Sequence, residues 1–240
     1  MTGSGSGSGH RLIAWLIHLL TALGAVIGMM ALLAIFEGDY HASLWWLVLA
    51  LFVDGIDGPL ARHFNVTKVL PGFNGNTLDE VIDYFTYAII PAIFAYMVGL
   101  VPAGWGLVAA GMILLSSLYY YGNSDQKSED YFFKGFPVVW NIVVFYLYIL
   151  QMSLWVNLGV FTLCVILSFV PIYFVHPARV VFWRKITLPV TILWGVANLV
   201  ILITYERKEP GWLMVISLVC LTYLIGIGLW RTVKGPLIKG

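Results

Sequence analysis

Charge is scarce in this 240-residue chain, at 10% of residues, and cysteine scarcer still, with two in all. Cys164 and Cys220 both lie inside apolar runs. That placement excludes a disulfide framework and reads as small core or lipid-facing residues. Thirteen basic residues nearly balance twelve acidic ones, so no charge excess argues for a nucleic-acid partner. The apolar runs lack the period-2 alternation of a membrane barrel strand, which leaves helices as the spanning element. No small-residue cleavage pattern follows the first apolar run, which is also too long for a removable signal peptide.

What is abundant is apolar surface: 60% hydrophobic residues and a mean hydropathy of +0.90. A soluble domain of this length has no use for so much, so the chain reads as an all-α integral membrane protein. Eight stretches are expected to span, at about 12–36, 44–62, 78–98, 102–121, 136–153, 155–175, 186–205 and 212–232. Residues 1–9 (MTGSGSGSG) read as a Gly-Ser linker, and 10–240 as one transmembrane domain.

Basic residues orient the bundle. Arg11, Arg62, Lys68, Lys127, Lys134, Arg179, Arg184, Lys185, Arg231, Lys234 and Lys239 fall on the side of the N-terminus. The other side holds only Arg207 and Lys208, offset by Glu206 and Glu209. Both termini are therefore expected in the cytoplasm.

Against this background four acids stand out, Asp54 and Asp57 in DGIDGPLAR, then Asp79 and Asp83 in GNTLDEVID. A carboxylate at bilayer depth costs on the order of 2.5–3.5 kcal/mol by insertion scales, so such residues are functional by default. Spacings of three and four put each pair on one helix face, and the short link makes the two helices antiparallel. Four converging carboxylates repel one another unless a cation lies between them. An all-carboxylate set suits a hard divalent ion, Mg²⁺ or Mn²⁺, and two ions about 3.5–4 Å apart would make a phosphate-handling centre. Gly55 and Gly58 leave room for a bulky ligand, and Arg62 offers a fork for phosphate. A structural role, with acids paired to Arg62 or Lys68, or a cation path, competes with this reading. Thr77-x-x-Glu80 reads as a capping box, which gives Glu80 a structural task. Gly24-x-x-x-Gly28 allows close helix approach, either within the subunit or along a homodimer seam.

The fixed positions Asp54, Asp57, Gly58, Ala61, Arg62, Gly75, Asp79 and Asp83 resemble the signature of the CDP-alcohol phosphotransferase family. Twelve residues, His63 to Asn74, separate Arg62 from Gly75, where most of the family has eight. The longer spacer, HLLTALGAVIG (His18 to Gly28) and FFKGFPVVWN (Phe132 to Asn141) resemble the bacterial phosphatidylcholine synthase branch. That resemblance implies CDP-diacylglycerol and choline as substrates, CMP as leaving group, and a bacterial inner-membrane enzyme with its site near the cytoplasmic face. It also implies Asp54, Asp57, Asp79 and Asp83 as metal ligands and Asp83 as the catalytic base. Gly58, Ala61, Arg62 and Gly75 become nucleotide-binding positions. Relatives using serine, inositol phosphate or glycerol phosphate remain open, as does a cation transporter.

Choline, which lacks an N–H donor, would need aromatic faces. Tyr131, Phe133 and Trp140 are expected to supply them, beside Asp125, Glu129 and Asp130, with an interfacial aromatic belt as the alternative. Arg179 is the candidate partner of a lipid phosphate.

Overall fold

The structure is a computed structural model that describes residues 4–123, 125, 128, 130–176, 183–205 and 211–235. It is mostly helical. In chain order the elements are α1 (Ser4–Phe36), α2 (Tyr40–His63), α3 (Val66–Val69), α4 (Gly75–Asp83), a π-helical turn (Tyr84–Ile89), α5 (Ile90–Val98) and α6 (Gly106–Gly122). There follow β1 (Phe132–Lys134), α7 (Trp140–Leu150), α8 (Leu154–Phe169), β2 (Tyr173–Val175), α9 (Arg184–Thr204) and α10 (Gly211–Lys234). Helix α1 begins inside the Gly-Ser stretch.

Among the described residues, five helical segments are long and apolar enough to cross a membrane: Gly7–Phe36, Tyr40–His63, Gly75–Val98, Arg184–Thr204 and Gly211–Lys234. The other three expected spans become the shorter apolar helices α6, α7 and α8. The fifth stretch shortens because Pro137 lacks an N–H and pushes Phe136 out of helical geometry. Val138, at φ 57°, is left-handed as well, so α7 starts only at Trp140. The expectation of an all-α chain needs a further correction. β1 and β2 pair antiparallel, with Phe133 opposite Phe174, because extended backbone outside a helix still needs partners for its N–H and C=O groups.

The chain divides into two compact units, 1–114 with 140–148, and 115–139 with 149–240. In the first, α1 packs on α2 and α4. A Cβ added at Gly24 would lie 2.5 Å from Ile82 Cγ2, and one at Gly28 would lie 2.6 Å from Phe85 Cε1. The GxxxG spacing is thus spent inside the subunit, bringing α1 against the helix that carries Asp79 and Asp83.

The link between the acidic helices is less of a polar insert than its composition implies. Val66 and Leu70, four apart, bury against Ala14 and Ile17 of α1, so a turn of helix folds the twelve-residue spacer onto the bundle. The capping box does not form as expected. Helix α4 starts at Gly75, and the Asn74 side chain accepts from the Thr77 N–H at 3.2 Å. Asn is as good a cap as Thr and sits one turn earlier.

In the second unit the ribbon lies on α10. Its core is Phe132, Val175, Leu224 and Ile227. Arg231 near the end of α10 reaches Asp130 through two hydrogen bonds, Nε to Oδ2 at 2.9 Å and Nη2 to Oδ1 at 3.2 Å. Its guanidinium also stands 3.8 Å over the Tyr173 ring, a cation–π contact added to the ion pair.

Candidate metal centre

The site is built in the first unit. Asp54 and Asp57 occupy successive turns of α2, and Asp79 and Asp83 successive turns of α4. Oxygen atoms of Asp54, Asp57 and Asp79, one from each, lie within 4.8 Å of one another. Asp83 and Thr21 line the same cleft. Asp57 is the most enclosed of the four, at 4% exposure. Thr21, whose hydroxyl donates to the Ile17 carbonyl at 3.3 Å, brings a polar group from α1 to the lining of the same cleft, a feature that lay unread in HLLTALGAVIG.

This donor set fits a metal on chemical grounds. Three to four carboxylates in a half-buried cleft supply only hard oxygen atoms, and their mutual repulsion is relieved by a divalent cation. Glu80 is exposed and outside the cluster.

The remaining motif positions surround the acids. Gly58 and Ala61 are half-buried on α2, and Arg62 is exposed in its last turn. Arg62 is close enough to Asp57 to act on it through charge. A Cβ on Gly55 would meet nothing within 4 Å, so there is open space at that turn. Gly75 is different: a Cβ there would lie 2.5 Å from His18 Cε1. His18 is buried, and its ring packs on Phe73 with centroids 4.5 Å apart. The motif glycine therefore lets α4 start against the α1 imidazole, a packing reason that the motif alone does not reveal.

The expected acceptor aromatics are not gathered in one unit. Tyr131 is exposed at φ 62°, and Phe133 stacks on His176 at 5.0 Å, both in the second unit. Trp140 is wholly buried in the first. Of the neighbouring acids, Asp130 is taken by Arg231 and Asp125 pairs with Lys134. Glu129 and Arg179 lie outside the described residues.

Sequence reasoning missed Tyr87. Its hydroxyl donates to Asp54 Oδ2 at 2.9 Å from the π-helical turn after Asp83.

The two acidic helices thus fold into one carboxylate cluster. Residues 15–191 match the model of the CDP-alcohol phosphatidyltransferase family, and the chain belongs to that family of enzymes. It is 42% identical over 215 residues to the phosphatidylcholine synthase of Rhizobium johnstonii, covering 90% of this chain and 88% of that protein. It is 40% identical to that of Pseudomonas aeruginosa, with 92% of each chain covered. To that of Mesorhizobium japonicum it is 47% identical over 75% of this chain and 68% of the other.

Proposed function

We propose that this protein is a phosphatidylcholine synthase, moving the phosphatidyl group of CDP-diacylglycerol to choline with release of CMP. The observation that carries this reading is the convergence of Asp54, Asp57 and Asp79 within a family member whose relatives bear that name. Asp54, Asp57 and Asp79, with Asp83 beside them, would hold two Mn²⁺ or Mg²⁺ ions. Bound there, such ions add positive charge against the diphosphate and the negative charge that collects on departing CMP.

The chain's own residues do the rest. Gly58 and Ala61 admit the nucleotide close to backbone, Gly75 lets α4 start against His18 beside them, and the Arg62 fork binds a phosphate oxygen. Asp83 takes the proton from the choline hydroxyl as its oxygen attacks the phosphatidyl phosphorus. The bond from that phosphorus to CMP breaks, and the electron pair leaves with CMP. A carboxylate is a weak base for an alcohol, so positioning supplies much of the acceleration. Tyr131, Phe133 and Trp140 are the ring candidates for the trimethylammonium group, and Arg179 for a lipid phosphate.

The test is purified protein in detergent with CDP-diacylglycerol and Mn²⁺, assayed for CMP. Release should depend on choline, with serine, inositol phosphate and glycerol 3-phosphate inactive. Turnover with one of those acceptors would reassign the substrate; cation flux without CMP would reassign the class. Alanine at a true acceptor ring should raise the choline KM with little change in kcat, as lost uniform binding does. A normal KM in all three variants would leave these rings as an interfacial belt.

The same reading makes residues 10–240 one transmembrane domain of eight membrane-inserted helices in a bacterial inner membrane. Both termini and the acidic cluster lie toward the cytoplasm, because basic residues concentrate on that side. With Cys164 and Cys220 replaced by Ala, a cysteine at position 207 should react with an impermeant maleimide on intact spheroplasts. One at position 124 should react only after lysis. The reverse pattern would turn the protein, and its site, to the other face.

A further inference from the structure

We propose that Tyr87 is a positioning residue for the metal centre, its hydroxyl fixing the Asp54 carboxylate; this rests on the assignment of Asp54 as a ligand. Pro91 is the second residue of α5. A proline inside a helix donates no hydrogen bond, and its ring crowds the carbonyl four residues back, here that of Tyr87. The helix answers by widening. Over Tyr84–Ile89 it winds as a π turn, and the Ile90 N–H bonds to the Phe85 carbonyl five residues earlier. Such turns are rare and concentrate at functional sites. The widened turn begins directly after Asp83, so it shifts every later side chain relative to the α4 acids.

The side chain so placed is Tyr87. It is buried, at 7% exposure, and its hydroxyl crosses to α2 to donate to Asp54 Oδ2 at 2.9 Å. Thr86, beside it, bonds back to the Ile82 carbonyl at 3.0 Å, so neighbouring hydroxyls in the same turn have separate tasks. A phenol donating to one carboxylate oxygen restricts the rotamer of Asp54 and leaves electron pairs on both oxygens for a cation. It also lowers the cost of holding that carboxylate charged before a cation arrives. Outer partners of this kind typically contribute 10–100-fold in metal affinity. The competing role, in which Asp54 only satisfies a buried phenol, predicts a loss of stability and no change in metal affinity.

The experiment is a Mn²⁺ titration followed by electron paramagnetic resonance on folded protein in detergent, with thermal unfolding measured in parallel. Tyr87→Phe should raise the Mn²⁺ Kd about tenfold. Tyr40→Phe, which removes a hydroxyl bonded to the Met97 carbonyl at 3.1 Å, should leave it unchanged. Placing 4-aminophenylalanine at position 87 restores a donor and should return the Kd to within about threefold of wild type. If Tyr87→Phe does not fold, 4-fluorophenylalanine at the same position takes its place in the comparison. A Tyr87→Phe Kd within about twofold of wild type overturns the proposal, as does equal weakening by the donor-bearing and donor-free variants. Asp54→Asn separates the two levels. If it abolishes binding while Tyr87→Phe does not weaken it, only the positioning role fails. If Asp54→Asn binds Mn²⁺ normally, the ligand assignment fails with it.

Discussion

Replacing Asp54, Asp57 or Asp79 by Asn is expected to remove CMP release, with losses on the order of 10³-fold or more. A preorganised charge centre at a departing phosphate carries several kcal/mol of the barrier. Asn matches Asp in size, so the bundle should survive while the cleft loses one charge and one strong donor. Each of the three should also weaken Mn²⁺ binding, because their oxygen atoms share one 4.8 Å cluster. Asp83→Asn should fall by about 10²–10⁴-fold, the usual contribution of a positioned base, while still binding CDP-diacylglycerol. The decisive comparison is CMP release under saturating substrates beside Mn²⁺ affinity for all four proteins. Near-normal turnover in any one of them would remove that residue from the centre.

Those four residues were legible in the sequence because their signal is local. A spacing of three or four needs only helical geometry to put two side chains on one face, and insertion cost flags any acid inside an apolar run. The GxxxG contact was legible for the same reason, and its use inside the subunit follows from Ile82 and Phe85 opposite it. The rest required partners distant in sequence. Nothing near Tyr87 announces Asp54, 33 residues away. Pro91 was visible, but whether a proline kinks a helix or widens it depends on surrounding packing. The spacer carried a weak clue in Val66 and Leu70, whose helical spacing was overshadowed by the polar residues around them. Three-residue strands such as β1 and β2 are too short to show any alternation. The aromatic stretch gave no sign of the partners of its acids, which in the fold are Lys134 for Asp125 and Arg231 for Asp130.

Breaking the Asp130–Arg231 pair is expected to cost about 3–5 kcal/mol of stability, the usual result of leaving one buried charge without its partner. Both side chains are nearly inaccessible, at 5% and 6% exposure, so water cannot replace the missing group. The pair joins residues 101 positions apart, and the structure around it leaves little slack. The Tyr173 N–H donates to Thr232 Oγ1 at 2.9 Å, and a Cβ on Gly228 would lie 2.1 Å from the Tyr173 carbonyl oxygen. The ribbon is thus fastened to α10 through backbone, ion pair and cation–π contact together. Asp130→Asn and Arg231→Met should each lower the unfolding temperature in detergent sharply. Combining Asp130→Leu with Arg231→Met should recover most of the loss, because two apolar groups of similar volume often replace a buried pair at little cost. If either single variant unfolds within about 1 kcal/mol of wild type, the pair behaves like an exposed one, and the ribbon is held by Phe132, Val175, Leu224 and Ile227 together with the Tyr173–Thr232 hydrogen bond.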